Sequence, residues 1–491
     1  MNPASYDVID GVRTYKLFIN GEWVASSRNI TADSINPADG SLFARTQQAG
    51  AAEVTCAIEA AHEAFAAWGS SLASTREKML LKVADVIEQR TPEIRDMLID
   101  ECGSVFNKAL WEIDYVTDCL RSAAGDVRHV MGETMPVTQP GQISMSVRRP
   151  LGVVAGIAPF NSPFLLSMKK IAFALAAGNT FVLKPSEETP ISGALIADLF
   201  EEAGLPAGVL NVVPGVPAEV GDIMMADPRV KLVTFTGSTR TGRHLAVEAA
   251  KHLKKFCLEM GGKSPLIVLK DADLDYAVNA AAFGVFLHQG QVCMANSKVI
   301  VEAPIFDAFV ERFVAKAKTV PVGHPRDTTS VIGPLIRETQ CAFIDTQLAD
   351  AKEKGANVLT GGTHEGRYFQ PTVLSGVTPE MRIYHEESFG PVVSIIRVAD
   401  AEEALKVAND TAYGLSAAVI TNDLQKAFDL SLRLESGMVH VNDCTISDEP
   451  HVPFGGVKNS GFGREGGRSS WEELTEQKWI TIQMGQREFS F

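Results

Sequence analysis

VVAGIAPFNSPFLLSMKKIAFALAAGNTFVLK, residues 153–184, decides the fold class. Its two ends, VVAGI and TFVLK, are short runs rich in β-branched residues, and between them FLLSMKKIAFALAAG is apolar around most of a helical surface and stops at a glycine. A strand, a crossover helix and a second strand make a βαβ unit, whose strands lie parallel. The pattern repeats downstream: a helix capped near Thr189 (ISGALIADLFEEAG), a strand (VLNVV), a helix (EVGDIMMAD) and a strand (KLVTFTG) carry it to Gly237. Such a series predicts a doubly wound, Rossmann-type α/β domain.

A second series begins near Ser264 with strand PLIVL, helix LDYAVNAAAFGVFLHQG (274–290), strand KVIVE and helix IFDAFVERFVAKAK, then resumes with PVVSIIRV, AEEALKVAND and SAAVIT. Two α/β layers in tandem are therefore expected. Upstream, residues 54–67 and 76–100 read as amphipathic scaffold helices. Two segments fit neither series: QISMSVRR (142–149), with Ile143, Met145 and Val147 alternating, and KWITIQM (478–484). Both read as exposed strands, a liability unless covered, so they are expected to pair across a subunit boundary. Packing within one chain is the alternative.

The 491 residues suit two to four folding units at roughly 100–200 residues each. Lys and Arg total 45 against 60 Asp and Glu, a formal charge of −15, which argues against nucleic acid or an anionic membrane surface as a partner. The opening MNPASYDVID has neither a basic n-region nor an apolar h-region, and no apolar run reaches the roughly 18 residues that span a bilayer, so the expectation is a cytoplasmic protein. Seven cysteines, at positions 56, 102, 119, 257, 293, 341 and 444, lack the spacing of a disulfide scaffold or a metal site. Reduced thiols are expected, and no metal.

A literal G-x-G-x-x-G stands at Gly461, Gly463 and Gly466, but it follows polar PFGGVKNS instead of a strand, so it is not read as a phosphate loop. GSTRTG (237–242) has Walker-like glycine spacing with Arg243 and His244 where Lys and Ser/Thr would be needed, which excludes an NTPase loop. It does lie between a strand and a helix, where backbone amides and the helix dipole face an anion such as a pyrophosphate. An ordinary glycine turn is the bland reading. Lys184 and Glu187 also follow a strand end; a lysine can donate to ribose hydroxyls, and a carboxylate accepts from them and repels a 2′-phosphate, favouring NAD over NADP. The same pair could be a solvated capping motif.

Cys293, in HQGQVCMAN, has small neighbours that leave room for a ligand, a setting that suits a nucleophile as well as a buried filler thiol. Asn161 in APFNSP could donate to an oxyanion, and Glu259 in LEMGGKSP could act as general base. His288 raises a Cys-His hydrolase as an alternative, but an offset of five does not bring two helical side chains together.

Taken together, APFNSP, KPSE, FTGST, LEMGGKSP, GQVCMA, EESFGP and PFGGVKNSGFGRE resemble the aldehyde dehydrogenase superfamily, in its order and over nearly the whole chain. The resemblance implies an aldehyde dehydrogenase-like fold in three parts: an NAD-binding domain (1–130 and 150–261), a catalytic domain (262–470) and a small β oligomerisation element (131–149 and 471–491). It implies a homodimer or homotetramer, with Cys293 as nucleophile, Glu259 as base, Asn161 with the Cys293 amide as oxyanion hole, and Lys170 near the catalytic centre. NAD would meet Ile157, Pro159, Phe160, Ser186, Gly215, Gly221, Phe235 and Gly261; its adenosine ribose Lys184 and Glu187; its pyrophosphate Gly237 and Ser238; its nicotinamide half Glu387 and Phe389. The substrate tunnel would be lined by Ser162, Leu165, Leu166, Lys169, Leu287, Val292, Met294 and Phe454, a largely apolar set in which Lys169 is a departure. The run SGMVHVNDCTISDEPHVPFGG resembles the vanillin, benzaldehyde and salicylaldehyde branch, implying an aromatic aldehyde, with a medium- or long-chain aliphatic aldehyde as the second choice.

Overall fold

Five strands of the first series, Lys255–Met260, Val230–Gly237, Val153–Ile157, Thr180–Lys184 and Leu210–Val212, lie side by side in that order and all run parallel. The computed structural model, which describes residues 1–490, extends this sheet to eight strands. Leu17–Ile19 and Glu22–Val24 close one margin, and Gly461–Phe462 adds antiparallel to the other. The central strands are buried on both faces, with separate hydrophobic clusters above and below, which explains why they read as continuous apolar runs. The crossover helix Pro163–Ala177 is buried throughout, begins with proline in its first turn and ends at Gly178 with φ of 93°, a left-handed cap that glycine adopts without a Cβ penalty.

The second series forms a seven-stranded sheet in the order Asn357–Thr360, Thr372–Ser375, Val392–Val398, Lys298–Glu302, Pro265–Val268, Ser416–Ile420 and Met438–Val441. Only its first pair is antiparallel. A four-stranded sheet near the N-terminus, order Tyr6–Ile9, Val12–Tyr15, Leu42–Gln47 and Thr31–Ile35, precedes the helical region.

Three details differ from the sequence reading, and the rejected glycine motif gains a structural role. The helix expected over 76–100 is two helices, Ala73–Gln89 and Thr91–Cys102, broken at Arg90 because Pro92 cannot donate to the preceding turn and restricts the residue before it. The helix expected to reach residue 290 stops at Phe286, since His288 and Gln289 take positive φ angles of 48° and 57°. The glycines at 461 and 463 belong to the edge of the first sheet: a Cβ on Gly461 would lie 1.8 Å from the Leu258 carbonyl, so the spacing permits close backbone approach to the Glu259 strand. The two orphan strands, expected to pair across a subunit boundary, pair with each other: Thr475–Gln483 runs antiparallel to Gln142–Pro150 over nine residues, with Glu133–Met135 alongside. Their matched lengths let one chain satisfy the inner ladder, yet Trp479 remains 70% exposed and Ile482 43%. Phe491, the last residue of the expected oligomerisation element, lies outside the described residues. No helix among the described residues is long and apolar enough to cross a membrane.

Candidate active site

Parallel strands place all their C-terminal ends on one edge, and in open α/β sheets that edge is where ligands bind. Here Ile157, Lys184, Gly237 and Met260 end neighbouring strands. Gly237 passes directly into the helix Thr239–Lys251, whose cap Ser238 accepts from the Thr241 amide. Phe235 packs under this turn; a Cβ on Gly237 would lie 2.6 Å from its ring. Lys184 is buried, and its ammonium lies 3.3 Å from the half-exposed Glu187 carboxylate. Burial pushes the Lys184 ammonium below its ordinary value, partly offset by Glu187. Ser186 is buried and accepts from the Glu188 amide. Gly215 sits tight against Val220 and the Ala49 carbonyl, whereas Gly221 stands in the next helix with Leu245 at ordinary contact.

Glu259 occupies the strand beside Thr236, in register with it, and accepts from the Thr236 hydroxyl at 3.3 Å; its other oxygen has no hydrogen-bond partner among the described residues. Burial raises its carboxyl to about 8, the charge of Glu465 adds to the rise, and Lys170 and Lys169 pull against it. Lys170 donates to Glu465 at 2.6 Å and to Thr234 at 3.0 Å, and Thr234 donates to the same carboxylate oxygen. Immediately after Glu259 the chain turns through Gly261 and Gly262. A Cβ on Gly262 would lie 2.3 Å from the Cys293 carbonyl, so this turn joins the base-bearing strand to the cysteine loop. The Gly262 amide donates to Glu387, which burial lifts to about 7. Phe389 packs edge-on against Phe160 at 5.8 Å, and Arg337 lies over the Phe160 ring. The nicotinamide-half candidates Glu387 and Phe389 therefore meet the Gly261 and Phe160 loops of the first sheet, with Pro159 in the same turn as Phe160.

Cys293 is partly buried, packed with Val292, Met294, Ile446 and Phe454. Burial pushes its thiol up, and the carboxylates of Glu387, Glu259 and Asp448 add to that. Asn161 donates through Nδ2 to the Gln291 carbonyl at 2.9 Å, two residues before the cysteine. His288 lies buried beside Lys108 and Asn161, with neither ring nitrogen hydrogen-bonded among the described residues, and burial holds it well below its ordinary value. A neutral imidazole with no bond to Cys293 does not make a Cys-His pair. Among the described residues no group of three or more His, Cys, Asp or Glu is placed to hold a metal ion.

A cavity of about 690 Å³ opens beside this centre. Leu287 and Met294 line it; Ser162, Leu165, Leu166, Val292 and Phe454 do not, and Leu165 and Leu166 belong to the core. Lys169 is buried behind the cavity, paired with Asp448 at 2.8 Å. Sequence reading missed the walls supplied by the helix Phe106–Asp126, Trp111 in particular, and by Phe283 and Phe286. It also missed the buried pair Lys108 and Glu112 behind Asn161: Lys108 donates to the Asn161 carbonyl at 2.9 Å, and Glu112 accepts from the Phe164 and Leu165 amides at 3.0 Å. Their i, i+4 spacing was the available signal, but it is also that of any solvated ion pair.

Residues 23–480 match the model of the aldehyde dehydrogenase family. The chain is 42% identical to vanillin dehydrogenase of Pseudomonas fluorescens over 96% of its own length and 98% of that protein's. It is 41% identical to benzaldehyde dehydrogenase [NAD(+)] of Pseudomonas putida, covering 95% and 96%. Among solved structures, a salicylaldehyde dehydrogenase from Pseudomonas putida G7 complexed with salicylaldehyde superposes with a TM-score of 0.95 at 40% identity, covering 97% of this chain and 99% of that one. By family model, by sequence and by fold, this chain belongs to the aldehyde dehydrogenase family.

Proposed function

We propose that the protein oxidises an aromatic aldehyde to its carboxylic acid with NAD, through a thioester on Cys293. The observation that carries this reading is the joining of three segments: Asn161 Nδ2 donates to the Gln291 carbonyl two residues before Cys293, the Gly262 turn that follows the buried Glu259 strand packs on the Cys293 carbonyl, and the Glu259 charge reaches the thiol. The Cys293 thiol, which burial and the nearby carboxylates hold protonated, first loses its proton to solvent; the thiolate then adds to the aldehyde carbon, and the resulting oxyanion is stabilised by Asn161 Nδ2 and the Cys293 amide. Collapse of the adduct breaks the C–H bond, and the nicotinamide ring supplies the acceptor for that electron pair. Glu259 then takes a proton from water, which attacks the thioester and releases the thiolate and the acid.

The strand ends fit a dinucleotide. The Gly237 turn is too tight for a side chain and leads into a capped helix N-terminus suited to pyrophosphate, while Lys184 and Glu187 offer a donor and an acceptor to a ribose. Glu187 would repel a 2′-phosphate, and one relative's name includes NAD(+). The aromatic preference draws on relatives named for vanillin, benzaldehyde and salicylaldehyde, and on a cavity walled by Trp111, Phe283 and Phe286. All seven cysteines are unpaired, which suits the reducing cytoplasm. A homodimer or homotetramer would cover the bare face of the Thr475–Gln483 strand.

The test is NADH formation from benzaldehyde and its hydroxy derivatives, with intact-mass analysis during turnover. An acyl adduct confined to Cys293 is expected in the wild type, and Cys293→Ala should form neither adduct nor NADH while keeping its circular dichroism. Turnover surviving in Cys293→Ala would overturn the reading.

A further inference from the structure

We propose that Asp448 is a hydroxyl-accepting group of the substrate cavity and selects aromatic aldehydes that carry a ring hydroxyl; this rests on the aromatic-aldehyde reading above. Three observations converge on it. First, Asp448 lines a chamber walled by Trp111, Phe283, Phe286, Leu287 and Met294, with Lys108, Lys316 and Glu449 as its other charged residues, Lys108 paired with Glu112 and Glu449 with His451; about 690 Å³ is ample for a single substituted ring. Second, the chamber adjoins the nucleophile. Met294 and Ile446, both in its lining, belong with Cys293 to one hydrophobic cluster built on Met294, Leu415 and Phe454, and Asp448 is near enough for its charge to push up a thiol already raised by burial.

Third, the carboxylate retains an acceptor position. A carboxylate offers about four lone-pair sites. Lys169 donates to Oδ1 at 2.9 Å and to Oδ2 at 2.8 Å, and the Tyr115 hydroxyl donates to Oδ2 at 2.8 Å, which leaves one site on Oδ1. Of these three groups only Asp448 lines the chamber: Lys169 is 1% exposed and sits 4.5 Å from the Phe454 ring centroid and 5.7 Å from that of Tyr115, and Tyr115 shares with Asp448 a second, neighbouring cavity.

The charge state of the pair selects the kind of donor. Lys169 neutralises Asp448 locally, so a cationic aldehyde gains little by approaching an ion pair that is already made. A neutral phenol O–H gains a charge-assisted hydrogen bond without disturbing the pair. A bare benzene ring in the same place displaces water from the free acceptor and returns nothing, a difference that corresponds to a roughly 10- to 100-fold loss in kcat/KM. A phenolate cannot donate at all.

The experiment compares kcat/KM for benzaldehyde, the three hydroxybenzaldehydes, their methyl ethers and 4-(trimethylammonio)benzaldehyde. At least one hydroxy isomer should exceed both benzaldehyde and its own methyl ether by about 10- to 100-fold, and its advantage should fade as pH rises through ionisation of its phenol while the ether's rate does not follow. In the double variant Lys169→Met with Asp448→Leu, which removes the buried cation and the carboxylate together, the hydroxy-to-methoxy ratio should collapse to within about threefold. Equal turnover of hydroxy and methoxy substrates by the wild type overturns the proposal while leaving the aromatic reading intact, as does a preference for the cationic aldehyde or a ratio that survives in the double variant. Absence of turnover with every aromatic aldehyde overturns both. Should the double variant fail to fold, the ether comparison and the pH dependence in the wild type decide alone.

Discussion

Glu259 holds its carboxyl in a place where the protonated form is favoured: burial and the nearby Glu465 charge raise it to about 8, against the pull of Lys170 and Lys169. A general base works only when unprotonated, so the active fraction grows as pH climbs through that value. Steady-state turnover limited by thioester hydrolysis should therefore rise between about pH 6 and 9. Glu259→Gln should retain a pre-steady-state burst of NADH, because hydride transfer precedes the step that needs the base, while its steady-state rate falls at least about 100-fold. Stopped-flow absorbance at several pH values checks this; a vanished burst with normal Cys293 reactivity would place Glu259 earlier in the reaction. The candidate centre was legible at this scale, since Asn161, Glu259 and Cys293 each sit in a short motif. Asp448 and Glu465 were not singled out, because an acidic residue in a polar loop gives no local sign of burial.

At the scale of elements, the oxyanion candidate is held by the helix Phe106–Asp126. Its Lys108 and Glu112 side chains are both essentially inaccessible, 2% and 0% exposed, and together they bind the Asn161 carbonyl and the first amides of Pro163–Ala177. That helix has no side-chain cap of its own at Ser162, so the Glu112 carboxylate takes the place of one. Removing one partner of such a pair strands the other charge in the core, which costs about 3–5 kcal/mol. Glu112→Ala should lose about that much stability in urea unfolding and should lower kcat more than it raises KM, because the Asn161 turn is left without its frame. An unchanged unfolding midpoint would mean that water enters and replaces the carboxylate. Nothing in the local sequence separates this pair from a surface one; its burial comes from the packing of one helix on another.

For the whole molecule, two exposed edges stand out. The strand Met438–Val441 ends the seven-stranded sheet with one neighbour only, and Thr475–Gln483 carries Trp479, 70% exposed, on its bare face. An unpaired edge and an uncovered aromatic face are features that assembly removes. Trp479→Glu should shift the mass in sedimentation equilibrium from the oligomer toward the monomer while sparing the far-ultraviolet spectrum; a monomeric wild type would refute the oligomer.

By itself the sequence determined the two α/β layers, because fully buried parallel strands are written as short apolar runs punctuated by helices, and it marked the cysteine, base and amide by their motifs. Only the tertiary structure decided which residues wall the cavity, which charges are buried in pairs, and that the two orphan strands find each other across more than three hundred residues. Those outcomes depend on long-range packing and desolvation, and a residue's neighbours along the chain carry no record of either.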